Sequence, residues 1–443
     1  MTDKLSLPNK SVMLSTDFIY GVATASFQIE GGANNRLPCI WDTFCDTAGK
    51  VVDGSNGLTA CDHYNLWQQD IELIDSLGVD AYRLSISWPR VIKASGELNQ
   101  KGVDYYLAIL DELKAKSIKA FVTLYHWDLP QHLEDEGGWL NRETAYKFRD
   151  YVDLISKAFD ERVYAYATLN EPFCSAFLGY EVGVHAPGIV GKEFGKKAAH
   201  HLLLAHGLAM KVLTKNSPKS QNGIVLNFTP CYPETDSDAD KKASDFADDY
   251  FNQWYIKPIY DGKYPDILES LPAENHPEIL QGDMDIISHS TDFLGINFYT
   301  RAIYRADEEE HFFQISAPEP RTDIGWEIYP KAFTELLVSL NNKYSLPPVY
   351  ITENGAAIAD KLIDGVVHDI DRIEYYQSHL NAVNDAIEQG VQINGYFAWS
   401  LMDNFEWAEG YLKRFGIVYV DYDTQVRTIK ASGLAYKALI TNR

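Results

Sequence analysis

Short runs of aliphatic and aromatic residues recur along the chain, separated by segments whose apolar positions fall at helical spacing. Eight runs read as strands: FIYGVATAS (18–26), DAYRLSIS (80–87), KAFVTLYH (119–126), YAYATLN (164–170), GIVLNF (223–228), DFLGINFYT (292–300), PVYITEN (348–354) and INGYFAWSL (393–401). Between the sixth and seventh runs, Phe333, Leu336, Leu337 and Leu340 stand at i, i+3, i+4 and i+7, with Pro330 suited to the first turn. Ala145, Phe148, Val152, Ile155 and Phe159 form another apolar stripe, and Asn141 is placed to cap that helix. Eight strands, each followed by a helix and with no linker between them, predict an α/β fold: a closed (β/α)8 TIM barrel with elaborated loops at its C-terminal rim. One catalytic domain over 1–443 is the expected organisation. A doubly wound open sheet would carry G-x-G-x-x-G after its first strand, and that turn is missing here. The polar excess at 301–329, including Glu308, Glu309 and Glu310, is expected to form a loop on the rim.

Charge narrows the partners. The 443 residues hold 39 Lys and Arg against 63 Asp and Glu, a net charge of −24. That balance disfavours nucleic acid and anionic membrane surfaces, both of which require basic contacts. Aromatic residues make up 13% of the chain, mostly as core, with some available as platforms for sugar rings. The five cysteines, Cys39, Cys45, Cys61, Cys174 and Cys231, include no C-x-x-C pair and read as free thiols in a reducing compartment. His200 and His201 lack metal-ligand spacing, so neither a metal nor a cofactor is expected. The N-terminal stretch has no apolar run of signal-peptide type, and no segment reaches the ~18 apolar residues of a membrane span. A cytoplasmic protein is the expectation; a homo-oligomer is compatible with the sequence, which does not fix oligomeric state.

In a barrel, polar residues at strand C-termini are the candidates for chemistry. The fourth run ends in Thr168-Leu169-Asn170-Glu171-Pro172 and the seventh in Ile351-Thr352-Glu353-Asn354-Gly355. Each apolar strand runs directly into a Glu beside an Asn. A lone Glu at a strand end usually pairs with a neighbouring Arg, but two such ends on nearly opposite strands can face one substrate. Opposed carboxylates suit glycosidic bond cleavage, one protonating the leaving oxygen and the other attacking the anomeric carbon or activating water. Strict alternation would send Asn170 and Glu171 to opposite faces. Both reach one pocket only if the strand bends at its end, and Pro172 is the expected cause.

These motifs, together with Phe27-Gln28-Ile29-Glu30-Gly31, Ile40-Trp41-Asp42-Thr43-Phe44, Arg83-Leu84-Ser85-Ile86-Ser87-Trp88-Pro89-Arg90, Leu124-Tyr125-His126-Trp127-Asp128 and Trp399-Ser400-Leu401-Met402-Asp403-Asn404-Phe405-Glu406-Trp407, stand in one order along the chain. In that order the sequence resembles glycoside hydrolase family 1, the β-glucosidases and their relatives, along nearly its whole length. The resemblance implies a retaining, exo-acting β-glucosidase that takes terminal β-D-glucosyl, galactosyl or fucosyl groups from β-glycosides or short β-linked oligosaccharides. It implies Glu171 as acid/base and Glu353 as nucleophile. Gln28, His126, Asn170, Glu406 and Trp407 match positions that hold the non-reducing-end sugar, and Trp399 matches its aromatic floor. Arg83 and Tyr299 match partners that keep the nucleophile charged and aimed, so Arg83 is expected to lower the pKa of Glu353. Trp326 matches the aromatic flank of the aglycone subsite, whereas Trp127 and Trp88 read as packing residues. Phe173 and Phe27 depart from the family, where Trp and Tyr are common. Two alternatives remain: a 6-phospho-β-glycosidase, and a sugar-binding protein without activity on the same fold.

Overall fold

The computed structural model describes residues 4–443. All eight runs become strands of one parallel barrel: β1 (Ile19–Ala23), β2 (Ala81–Ser85), β3 (Lys119–Thr123), β4 (Ala165–Asn170), β5 (Gln221–Phe228), β6 (Phe293–Phe298), β7 (Val349–Asn354) and β8 (Ile393–Trp399). Each pairs with its sequence neighbours, and β1 pairs with β8 to close the ring. Nearly every strand residue is buried, because helices cover the outside of the ring and side chains fill its inside. Phe121 on β3 lies across from Phe397 on β8 at 4.8 Å and Tyr350 on β7 at 5.2 Å, and Phe293 on β6 meets Tyr350 at 5.6 Å. These rings plug the lower barrel. Gly21 on β1 makes the room: a Cβ there would sit 2.3 Å from the Phe397 ring.

The outer ring includes His63–Leu77, Gln100–Ala115, Glu143–Phe159, Lys192–Asn216, Pro330–Lys343, Ile370–Glu388 and Ala431–Thr441. Pro330 opens its helix at the first position, where the missing N–H costs nothing. The Glu143–Phe159 helix buries Ala145, Phe148, Val152, Ile155 and Phe159 as the spacing predicts. Its first residue outside the helix is Arg142, which makes no side-chain cap, and Asn141, one residue before it, accepts from the Glu143 N–H at 3.0 Å through its side chain.

The segment 301–329 is not simply a loop. Ala302–Asp307 and His311–Gln314 form an antiparallel hairpin, and Cys231–Pro233 adds to it in parallel, giving a small sheet on the rim. Its apolar face packs Ala302, Tyr304 and Phe312 on Ala247 and Phe251. The three glutamates sit at the turn, where the Asp307 carboxylate accepts from the N–H groups of Glu309 and Glu310. Alternation too short to stand out from the polar turn hid both strands.

Candidate active site

The C-terminal ends of the strands open into a cavity of about 810 Å³. Its lining includes His126, Glu171, Tyr299, Trp326, Glu353, Trp399, Glu406 and Trp407, from widely separated stretches of sequence. Gln28, Arg83 and Asn170 stand behind that lining, each almost wholly buried.

Two carboxylates meet in this cavity, and they have unlike partners. Glu353, 3% exposed at the end of β7, accepts from Arg83 Nη1 at 2.5 Å and from the Tyr299 hydroxyl at 2.6 Å. Glu171, 5% exposed, has no cation in contact among the described residues. Asn297 Nδ2 donates to one of its oxygens at 2.6 Å, and the Cys174 thiol donates to the other at 3.1 Å. A register shift between Ala167 and Asn170 bends the end of β4, and Glu171 takes a positive φ of 48°. This left-handed turn, rather than Pro172 alone, brings Asn170 and Glu171 to one side; such strain is tolerated where surrounding contacts enforce it.

Asn170 ties the two carboxylates together. Its Oδ1 accepts from Arg83 Nη2 at 2.6 Å and Asn297 Nδ2 at 3.0 Å, so its amide nitrogen is the donor toward His126 Nε2 at 3.1 Å. That leaves His126 Nδ1 carrying the proton, buried and without a protein partner beside the cavity. Burial and the Arg83 charge push the His126 pKa well below its ordinary value, so the ring is a neutral donor. Gln28 Nε2 reaches Asn404 Oδ1 at 3.0 Å, the Phe405 carbonyl at 2.9 Å and Glu406 at 3.4 Å, while its Oε1 is unpartnered. The rings of Trp399 and Trp407 stack with that of His126, each with centroids 6.0 Å away.

Burial raises the Glu171 carboxyl to about 8, with the Glu353 charge adding to the effect. Glu353 is also held above the ordinary carboxylate range by burial, although Arg83 pulls it down as expected. Arg83 and Tyr299 do favour its charged form, but burial outweighs them. Of the two, Glu171, which lacks those donors, is the one more readily protonated. Glu406 is pushed to about 8 by burial, then by the charges of Glu353 and Glu171.

The profile of Glycosyl hydrolase family 1 matches residues 10–443. The chain belongs to glycosyl hydrolase family 1. A β-glucosidase from an Agrobacterium species is 46% identical over 433 residues, covering 96% of this chain and 94% of that protein. A 1,4-β-D-glucan glucohydrolase of Thermotoga neapolitana is 44% identical over 433 residues, covering 96% of this chain and 97% of that one. The structure of the Thermotoga maritima β-glucosidase in complex with glucoimidazole superposes with a TM-score of 0.94 at 43% identity, covering 100% and 99% of the two chains.

Within this family 1 site the sequence reading missed several contributors. Asn297, the amide that grips Glu171, stands two residues before Tyr299, and that same-face spacing was its available signal. Asn404 braces Gln28 from inside a motif already noticed. Trp127 does more than pack: it lines the cavity, and its indole N–H donates to the Asn170 carbonyl at 2.9 Å. Trp88 is packing, stacked on Tyr151 at 5.0 Å. His200 and His201 are engaged separately, His200 by Asp283 and Tyr264 and His201 by the Trp139 carbonyl.

The segment carrying Asn404 and Glu406 is anchored from below. Asp403 accepts from Lys430 Nζ and Arg414 Nη1, both at 2.6 Å. Lys430 also reaches Asp360, which Arg372 holds at 2.7 Å. Lys430, Asp360, Asp403 and Arg372 are fully or almost fully buried. The Tyr436 hydroxyl donates to backbone carbonyls of Gly21 on β1 and Tyr396 on β8, stitching the seam of the barrel.

Proposed function

We propose that the protein is a retaining, exo-acting β-glucosidase that releases β-D-glucosyl groups from the non-reducing ends of β-glycosides and short β-1,4-linked glucans. What carries this reading is the asymmetry of the two carboxylates in one cavity: a cation and a phenol on Glu353, neutral donors on Glu171. Glu353 is the nucleophile, kept ionised and aimed by Arg83 and Tyr299. Glu171 protonates the glycosidic oxygen as Glu353 bonds to the anomeric carbon, then takes a proton from the water that releases the sugar. Two inversions at one carbon return the β configuration.

Gln28, His126, Asn170, Glu406 and Trp407 take the hydroxyls of the terminal sugar, Trp399 its apolar face, and Trp326 flanks the aglycone. The unpartnered Gln28 Oε1 and His126 Nδ1 suit that role, since a buried polar atom without a partner is costly until a ligand supplies one. No cofactor is needed. Residues 1–443 act as one catalytic unit. The free cysteines, three of the five buried, suit a cytoplasmic site of action on oligosaccharides derived from cellulose.

A panel of chromogenic β-glycosides assayed with pure protein, with NMR of the first-formed sugar, tests the reading. The β-glucoside should be cleaved and β-glucose should appear first. Release of the α anomer, or turnover of none of the glucoside, galactoside and fucoside, would overturn it.

A further inference from the structure

The Cys174 thiol touches the Glu171 carboxyl but is not accounted for by sugar binding. Residues 171–174 fold tightly: the left-handed Glu171 is followed by Pro172 and Phe173, and the Cys174 N–H donates to the Glu171 carbonyl at 2.9 Å. Cys174 then begins a π-helical stretch, Cys174–Leu178. Single π turns recur at functional sites because they re-aim a side chain. Here the sulfur is aimed at Oε2 of Glu171, 3.1 Å away, at the wall of the cavity. Burial keeps the thiol protonated, so it serves as a donor and not as a thiolate.

The other oxygen is already committed. Asn297 Nδ2 donates to Oε1 at 2.6 Å, and the amide is held in that orientation because its own Oδ1 accepts from Thr352 at 2.7 Å. Oε1 takes a short bond from a fixed amide N–H, whereas Oε2 meets only the longer contact of a weak thiol donor, so the proton is better placed on Oε2, which can still accept from the S–H. The charged groups around Glu171 lie on other elements: Glu353 on β7 disfavours its ionised form, Arg83 on β2 favours it, and Glu406 lines the same cavity. The thiol is the donor from Glu171's own turn.

We propose that Cys174 is a positioning residue for the acid/base step: its S–H keeps Oε2 of Glu171 aimed into the cavity and steadies the carboxylate left when that oxygen's proton passes to the leaving group. This rests on Glu171 being the acid/base. Cys174→Ala and Cys174→Ser test it with two glucosides that differ in their need for a proton, ethyl β-glucoside and 2,4-dinitrophenyl β-glucoside. In Cys174→Ala the loss in kcat/KM should be about tenfold larger for the ethyl than for the dinitrophenyl substrate, as expected when general acid assistance weakens. The alkaline limb of the kcat/KM profile should rise by about half a unit, because a donor to the charged form has been lost. Cys174→Ser, whose hydroxyl can donate to the same oxygen, should recover most of both effects. Equal losses on the two substrates with an unmoved limb, or a serine variant no better than alanine, would overturn the proposal. Glu171→Ala serves as the control: if it too lacks a substrate-dependent loss, the acid/base assignment fails first.

Discussion

Tyr299→Phe removes one oxygen atom from the site and leaves the ring, whose contacts with Trp326 at 5.3 Å and Phe415 at 6.0 Å should persist. The lost hydroxyl donates to Glu353 Oε2 at 2.6 Å, inside the cavity and against a carboxylate that burial already pushes upward. A hydrogen bond to a charged group contributes about 1.5–3 kcal/mol. Arg83 remains on the other oxygen, so the lower end applies, about one pKa unit at 1.36 kcal/mol per unit. The sign follows from the role. Glu353 attacks only as a carboxylate, and loss of a donor to that form raises its pKa. The acid limb of the kcat/KM profile should therefore move to higher pH by about one unit. At a fixed pH below the limb, kcat/KM should fall about tenfold, and it should partly recover at higher pH. The assay is kcat/KM for 4-nitrophenyl β-glucoside across pH, with thermal unfolding as a check on the fold. An acid limb that stays in place, or moves down, would refute the assignment of Tyr299 as a partner of the nucleophile.

Three further outcomes are expected. Glu353→Ala should abolish hydrolysis without unfolding the protein, and added azide should restore part of the turnover as the α-glucosyl azide; activity within about tenfold of the parent would exclude Glu353 as nucleophile. The plain 4-nitrophenyl glucoside should be cleaved far faster than its 6-phosphate. Glu406 offers a phosphate no positive charge and could not ionise beside it without strong like-charge repulsion, and the nearby Lys413 is committed to Asp323 at 3.1 Å; a preference for the phosphate would move the protein to the other class. Lys430→Met should cost about 3–5 kcal/mol in chemical denaturation, because Asp403 and Asp360 lose a buried cation, and a loss under about 1 kcal/mol would show the network to be slack.

The barrel strands were legible because parallel strands buried on both faces read as unbroken apolar runs, and the two catalytic candidates because each is a carboxylate abutting such a run. The turn at Glu171 was not legible: alternation assumes extended backbone, and nothing local announces a left-handed Glu. The net shift at Glu353 was not legible for a related reason. Arg83 is visible as a partner in sequence, but burial is the summed effect of elements from β1 to the segment beyond β8. Asn297 escaped notice because an Asn inside an apolar strand looks like an exception until the strand's inward face is known.

Lys430 and Tyr436 follow β8, and their contacts give the chain a temporal order of competence. A polypeptide still being translated, with all eight strands already outside the ribosome, would possess both Glu171 and Glu353, the two glutamates proposed to carry the chemistry. Asp403 beneath the sugar clamp would lack its lysine, and the seam between the first and last strands would lack its tyrosine stitch. The floor under Asn404 and Glu406 and the seam of the ring are thus completed only by residues 430–436, the last contributors along the chain to either.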